Sequence, residues 1–499
     1  MYTPAYPLPI MEIGSFVKKQ LPAADIEIVS MPVDYGMPLN KEAKEKIYKD
    51  FLRDLAHAKP KGVGISCTAI AQAKEAIQLA ELVKEYDPET FVFLGGYFPS
   101  IYYQEIFART SAVDLIVIGE GEVSTLQIVE LLEKGEKPFR EDIPNLVWKK
   151  NGRYIYTKNG VRFDLNHKAH LNLSLLRYNR AYEILPYAFS RGCPYQCNYC
   201  MESLIRPVRR QVPSDIIYKD LKNLSSQSHA KTLLISDALF KSFDLFPLLR
   251  TLGLKVNFET RGDVFDPSII PQIKDVLGMI AIGFESASYQ TLRRMNKVRD
   301  RSQYEKYISN TIALFNELVD NEIPVMIFMI AGYPGDTEED LEESFAFARE
   351  LSKNSGSGGH VFKIGECHVY PRTKTYDHAS SMPDAIFDDD GVFGENIVRQ
   401  PSKGLNFETV LDYIKEIYSL SNQTTKLKKS LMNIMPFFRL PAQAFGDKII
   451  PGECFKDKTR GILNVHSESL SIFRKILPKL SLKYNNLMSA ERTTRHLSI

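Results

Sequence analysis

The chain has 499 residues, of which 44% are hydrophobic and 25% charged, with a formal net charge of +2. That balance describes a globular protein of two or three domains and excludes recruitment of a polyanion by bulk charge, so no nucleic acid partner is expected. Six cysteines are too few for a disulfide scaffold. No apolar run is long enough for a membrane span, and the first residues lack the basic and apolar regions of a secretory signal. The expected location is therefore the cytoplasm.

Residues 1 to 140 alternate strand-like and helix-like segments. The run at 26–32 reads as a strand and 40–57 as a charged helix. A short apolar run follows at 62–67, then an amphipathic helix at 71–86. Two further apolar runs at 91–96 and 115–122 end in glycine, and a helix at 125–135 closes the region. Apolar runs without alternation, separated by helices, predict a doubly wound parallel sheet. Ligands of such a sheet sit at the carboxyl ends of its strands. Those ends carry Ser66-Cys67-Thr68, Gly95-Gly96-Tyr97 and Gly119-Glu120-Gly121-Glu122. Glycine allows close approach of a flat ligand, and short hydroxyls meet its polar groups. His57, the one histidine of this region, reads as a helix-surface residue.

Residues 141 to 182 form a connector. Asn151-Gly152 between two β-prone runs predicts a hairpin around the single tryptophan, Trp148. His167 and His170 read as solvated polar residues. From 183 to about 375 the rhythm is regular, with strands at 183–190, 232–237, 255–260, 279–284, 324–331 and 361–370 and helices between them. This predicts a partial (β/α)6 TIM-type barrel, whose active groups belong at the C-terminal strand ends. Asp336 or Thr337 is expected to cap the helix that starts at GDTEED.

The loop after the first barrel strand, SRGCPYQCNYC, places Cys193, Cys197 and Cys200 in a C-x3-C-x2-C spacing. A [4Fe-4S] cluster takes four thiolates, so three leave one iron open to a small molecule. A structural zinc site would want four ligands, and Cys67, Cys367 and Cys454 are scattered with no second pair. Strand two of the barrel ends in Ser236-Asp237 and strand four in Glu285. On strand three, Asn257, Glu259 and Arg261 share one face by period two. Beyond 376 a mainly helical region is expected, with an amphipathic helix at 407–421. A basic, apolar segment at 426–442 has the composition of a membrane-surface contact but, broken by Pro436, is expected rather to pack on the barrel, and Cys454 and His466 read as structural.

The cysteine motif, with Tyr199 in its aromatic position and Arg191-Gly192 ahead of it, resembles that of the radical S-adenosylmethionine (SAM) enzymes. The order S-x-T, GG, GEGE and then the cysteines is similar to the cobalamin-binding subgroup, of class B methylase type. GFESAS with Met295-Asn296-Lys297, and AGYPGDTEED, continue the resemblance. The resemblance implies a [4Fe-4S] cluster on Cys193, Cys197 and Cys200, and SAM contacts at Tyr199, Ser236, Asp237, Glu259, Arg261 and Glu285. It implies cobalamin contacts at Ser66, Thr68, Gly95, Gly96, Gly119 and Glu120, with no histidine ligand to cobalt. It also implies a first sheet that lacks its opening strand, since the chain starts at the proline-rich turn of Pro4, Pro7 and Pro9. Lys297 is expected as a solvated helix-end charge, and Arg372 stands where the family often has glycine.

The implied reaction is reductive cleavage of SAM to a 5′-deoxyadenosyl radical, then methylation of an unactivated carbon of a small-molecule or peptide substrate through methylcobalamin. A flavodoxin- or ferredoxin-like protein would supply the electron. The alternative is a radical SAM cyclase, oxidase or rearrangement enzyme that does not methylate. A tRNA methylthiotransferase would need a second N-terminal cysteine triad, and residues 1 to 140 hold only Cys67.

Overall fold

The structure is a computed structural model, which describes residues 5–36, 41–177, 182, 184–354, 356–424 and 426–427. The remainder of the segment at 426–442, together with Cys454 and His466, lies outside the described residues. Among the described residues no helix is long and apolar enough to cross a membrane.

The first sheet contains three parallel strands, β1 (Gly62–Ser66), β2 (Phe91–Gly95) and β3 (Leu115–Val117). The expected hairpin forms as β4 (Leu146–Lys150) and β5 (Arg153–Tyr156), and it extends this sheet by antiparallel pairing to β3. Trp148 is thereby buried against Phe91, Leu115 and Ile128. The connector therefore begins as sheet and becomes irregular only after 156.

Three local readings differ. Residues 26–32 do not form a strand: Ile28 makes one bridge to Leu176, and a short helix starts at Met31. Pro32 removes a ladder donor, and the Asp34 carboxylate accepts from the Ser30 amide at 2.6 Å. The proline-rich start is a helix, Leu8–Gln20, entered through Pro7, because proline fits the first turn where no amide partner is needed. A helix at Tyr97–Arg109 also forms despite Pro99, again in its first turn.

The second sheet holds six parallel strands in chain order: β6 (Ile184–Tyr187), then, beyond the short pairing of β7 (Ser190–Arg191) with β8 (Arg210–Gln211), β9 (Thr232–Ile235), β10 (Lys255–Thr260), β11 (Leu277–Glu285), β12 (Val325–Ala331) and β13 (His360–Glu366). β6 and β13 are its edges, so this is an open barrel. Alternation divides its side chains. Phe258, Ile280, Ile282, Ile327 and Phe362 pack outward in the main core. Ile184, Leu234, Met279, Ala281, Met326 and Val361 pack together as an inner floor, closed from below by Leu427 and Tyr418. Tyr418 belongs to the helix Phe407–Ser419, which matches the amphipathic helix expected there. Thr337, rather than Asp336, caps the helix Glu338–Ser352, in a capping box with Asp340.

The two sheets are joined by buried charge. Arg191 is 6% exposed. Its guanidinium meets Glu12 at 2.9 Å, Glu122 at 2.5 Å and Glu120 at 3.8 Å. Arg210 also pairs with Glu120 and donates to the Phe163 carbonyl at 2.6 Å. On the far side, Arg372 pairs with Glu105 at 2.8 Å, and the Tyr102 hydroxyl donates to the Pro371 carbonyl. Arg372 adopts φ +69°, a conformation natural to glycine. Its ion pair, and its position over the Tyr102 and Tyr103 rings, offset that strain.

Replacing Arg191 by alanine leaves buried carboxylates without their cation, a loss of roughly 3–5 kcal/mol. We expect a clear drop in thermal midpoint. Arg191→Lys should restore only part of it, because one ammonium cannot fork to three carboxylates.

Candidate active site

The cysteine loop is held at its entry, middle and exit. At the entry, the Asp237 carboxylate accepts from the amides of Phe189 and Ser190 at 2.7 and 3.0 Å and from the Ser190 hydroxyl at 2.6 Å. Burial pushes the Asp237 carboxyl up to about 6, opposed by the Ser190 hydrogen bonds. Gly192 follows at φ +85°, where a Cβ would stand 2.3 Å from the Val208 carbonyl oxygen. Only glycine fits this crossing. The Cys193 amide then donates to the Arg206 carbonyl.

In the middle, the Asn198 amide donates to the Met295 carbonyl at 2.9 Å and its side chain to the Arg294 carbonyl at 2.8 Å. Asn296, at φ +55°, returns a bond to the Gln196 carbonyl. At the exit, the Thr375 amide donates to the Asn198 carbonyl.

Cys193, Cys197 and Cys200 are free, half-buried thiols on this loop. Cys197 acts electrostatically on both of the others. Burial raises the thiols of Cys193 and Cys200, the latter to about 11. Among the described residues no three His, Cys, Asp or Glu side chains converge on a single-ion shell. A guanidinium nitrogen of Arg261 lies 3.8 Å from Cys197 Sγ, and hydrogen bonds to ligand sulfurs tune a cluster's potential.

Arg261 does not pair with Glu259. It pairs with Asp263 at 2.9 Å, donates to the Lys297 carbonyl at 3.0 Å and stacks on the Tyr195 ring at 4.0 Å. Lys297 departs from the expected solvated charge. Its side chain is 3% exposed and its ammonium meets Glu285 at 2.7 Å and the Gly283 carbonyl at 2.6 Å. Tyr199 also donates to Glu285, at 3.1 Å. Glu285 holds φ +72° and is fixed by these two partners.

Glu259 faces the barrel interior, half-buried, and makes no hydrogen bond or ion pair among the described residues. Burial and then the Glu285 carboxylate push it up to about 7, against the pull of Lys297. Ser236 lies at the strand end, exposed, its amide donating to the Tyr187 carbonyl. The structure thus gathers Tyr199, Glu259, Arg261 and Glu285 beside the cysteines. Asp237 spends its carboxylate on the entry of the cysteine loop.

Above this mouth lie the carboxyl ends of the first sheet. Ser66 pairs in register with Gly95. Gly96, at φ +107°, lets its chain pass against Cys67, where a Cβ would lie 2.4 Å from the Cys67 carbonyl oxygen. The Ser100 hydroxyl accepts from the Gly119 amide and donates to the Gly96 carbonyl, which ties the two glycine turns together. A Cβ at Gly119 would meet nothing within 4 Å, and one at Gly95 nothing closer than 3.9 Å, so neither turn is crowded at its first side-chain position.

Glu120 differs from the expected cofactor contact. Its carboxylate is committed to Arg210, Arg191 and the Phe163 amide. Thr68 is exposed, its amide and hydroxyl both donating to the Gln72 side chain. His57 is exposed at the end of the helix Lys41–Ala58, which leads into the opposite, amino edge of β1. His167 is solvent-exposed as expected, but His170 bonds the buried Asp220 at 2.7 Å.

Glu12 and Glu202 are site-building residues that the sequence did not single out, while Tyr97 and Glu122 were named only as strand-end neighbours and Lys297 only as a solvated charge. Tyr97 and Glu202 join the second glycine turn directly to the helical turn after Cys200. For Tyr97 the available signal was its place beside Gly96; for Glu202, its place two residues after Cys200.

The B12 binding domain family matches residues 15–129, and the radical SAM superfamily matches residues 187–348. The anaerobic magnesium-protoporphyrin IX monomethyl ester cyclase of Rubrivivax gelatinosus is 25% identical over 307 residues, 57% of this chain and 54% of that one. The hopanoid C-3 methylase of Methylococcus capsulatus is 27% identical over 234 residues, 44% of this chain and 43% of that one. The chain thus spans about half the length of these two curated relatives. The radical S-adenosylmethionine methyltransferase TsrM of Kitasatospora setae, solved with cobalamin and a [4Fe-4S] cluster bound, has a TM-score of 0.64 at 13% identity, covering 84% of this chain and 86% of that one. At that identity it establishes the fold: a sheet domain over a partial barrel. The chain thus carries a B12 binding domain followed by a radical SAM domain.

Proposed function

We propose that the protein methylates an unactivated carbon of its substrate, using SAM, a [4Fe-4S] cluster and cobalamin. One observation carries this reading: the residue that leads into the cysteine motif, Arg191, is bound by Glu120 and Glu122 of the first sheet's third turn. The carboxyl ends of two parallel sheets therefore face one another, which is where both sheet types bind ligands. When bound, the cluster would supply the electron that cleaves SAM, and cobalamin would supply the methyl group.

The chain's own groups do the positioning. Cys193, Cys197 and Cys200 would hold the cluster, with Arg261 donating toward Cys197. Glu259 and Glu285, inside the barrel, would take the polar groups of SAM, with Tyr199 fixing Glu285 and Ser236 at the rim. Ser66, Thr68, Gly95, Gly96, Gly119 and the backbone at Glu120 would line the corrin edge. His57, the one histidine of residues 1–140, would not reach cobalt there, since it sits at the opposite edge of the sheet. The barrel floor of Leu234, Met279, Ala281, Met326 and Val361 excludes water from below. The match to a relative named as a cyclase supports a second reading, a radical reaction without methyl transfer. A product one methyl mass heavier than its substrate, seen by mass spectrometry, decides for the first; a product of unchanged carbon count decides for the second.

Alanine at Cys193, Cys197 or Cys200 should each abolish the iron–sulfur absorption of the anaerobically reconstituted protein. Replacing Cys367 and Cys454 together should leave it intact; loss of the cluster there would mean a fourth protein ligand. Gly95→Phe should keep the fold and the cluster, since its Cβ has room, while its ring covers the corrin edge. We expect that variant to lose the corrin absorption that the parent retains after gel filtration with hydroxocobalamin. Equal retention would place the corrin elsewhere, and no retention by the parent would overturn cobalamin-dependent methyl transfer.

A further inference from the structure

We propose that Lys363, on the last barrel strand, binds a carboxylate of the substrate inside the barrel. The inference deepens the reading that the barrel mouth is the reaction site and rests on it. On β13, Phe362 and Ile364 pack outward against the helices, and Val361 belongs to the inner floor. Alternation therefore turns Lys363 into the lumen, just above that floor. Its strand neighbour in register is Phe328, which packs on the same floor.

Among the described residues the other buried cations each meet a carboxylate. Lys168 meets Asp220, Arg191 meets Glu12, Arg261 meets Asp263 and Lys297 meets Glu285. Lys363 makes no ion pair or hydrogen bond among the described residues, although it is half-buried. Burial draws its amine down to about 8, with the charge of Glu366 opposing. Glu366 is itself engaged 3.7 Å from His368. A desolvated ammonium with no direct ion pair destabilises the fold, and such a group in a concave site is a binding candidate.

Its place in the barrel indicates which ligand it serves. Glu259, Glu285, Arg261 and the cysteines cluster at β10, β11 and the first loop. β13 is the opposite edge, two strands beyond β11. If SAM occupies the first side, the ammonium of Lys363 is left for the substrate. The chemistry favoured is an anionic substrate rather than a neutral lipid.

The test uses the full, cluster-loaded chain and reads reductive methylation at Lys363 by peptide mass spectrometry. The probes are benzoate and its neutral counterpart benzamide, with the exposed Lys41 and Lys353 as internal controls. Benzoate should slow labelling of Lys363 several-fold without affecting the controls, and benzamide should not. Benzoate should also raise the thermal midpoint of the parent and of Lys363→Arg, but not of Lys363→Gln. Equal protection by both probes, or none by benzoate, overturns the proposal. Protection by SAM alone also overturns it, since the ammonium would then serve the cosubstrate. The labelling arm needs no variant to fold. Hydroxocobalamin retention by the same sample reports separately on the methyl-transfer reading.

Discussion

A single guanidinium, that of Arg191, sits where the first sheet, the N-terminal helix and the cysteine loop converge. Burying a cation and three acids is costly, and such a group is stable only when the geometry is close and every charge is answered. Here Glu12, Glu120 and Glu122 surround the fork. Burial works against ionisation of Glu12, yet Arg191 and Lys168 hold its carboxyl below the ordinary range. Lys168 in turn meets Asp220, which also accepts from the Tyr187 hydroxyl at the end of the first barrel strand. The charge network therefore runs from the glycine turns of one sheet to the first strand of the other. Because Arg191 immediately precedes Gly192 and Cys193, any shift of the upper domain is felt at the first cluster ligand.

Much of this was legible in the sequence where one local rule dominates. The barrel strands were visible because each is a buried apolar run of a length that a helix would not give, and the hairpin because Asn151-Gly152 permits the left-handed turn. The three thiols were visible because metal ligation demands close spacing. Other parts were illegible because tertiary context overrode local preference. The helix at Leu8–Gln20 hides behind prolines that read as turn signals until the first turn is recognised as their place. The run at 26–32 has strand-like residues but only Leu176 to pair with. Lys297 looks like an exposed charge and Glu120 like a cofactor contact, and only the fold supplies the carboxylate and the arginines that engage them.

The site also shows a division of labour among its acids. Asp237 and Glu120 spend their oxygens on the protein, one on the entry of the cysteine loop and one on the domain junction. Glu285 is shared, fixed by Lys297 and Tyr199. Glu259 alone of the four makes no direct bond within the described residues. A ligand contact is thus read less from the presence of a carboxylate at a strand end than from what remains unspent on it.

The supports of the cysteine loop carry a consequence for biosynthesis. Cys193, Cys197 and Cys200 lie close together in the chain, but the partners that shape their loop come much later: Asp237, then Arg294 to Asn296, then Thr375. A ribosome that has just released the motif has made a flexible peptide with three reactive thiols, not a cluster site. The loop gains its shape only after the last barrel strand has been synthesised and docked. Cluster delivery therefore belongs to the end of folding, and the thiols must be kept reduced throughout that interval.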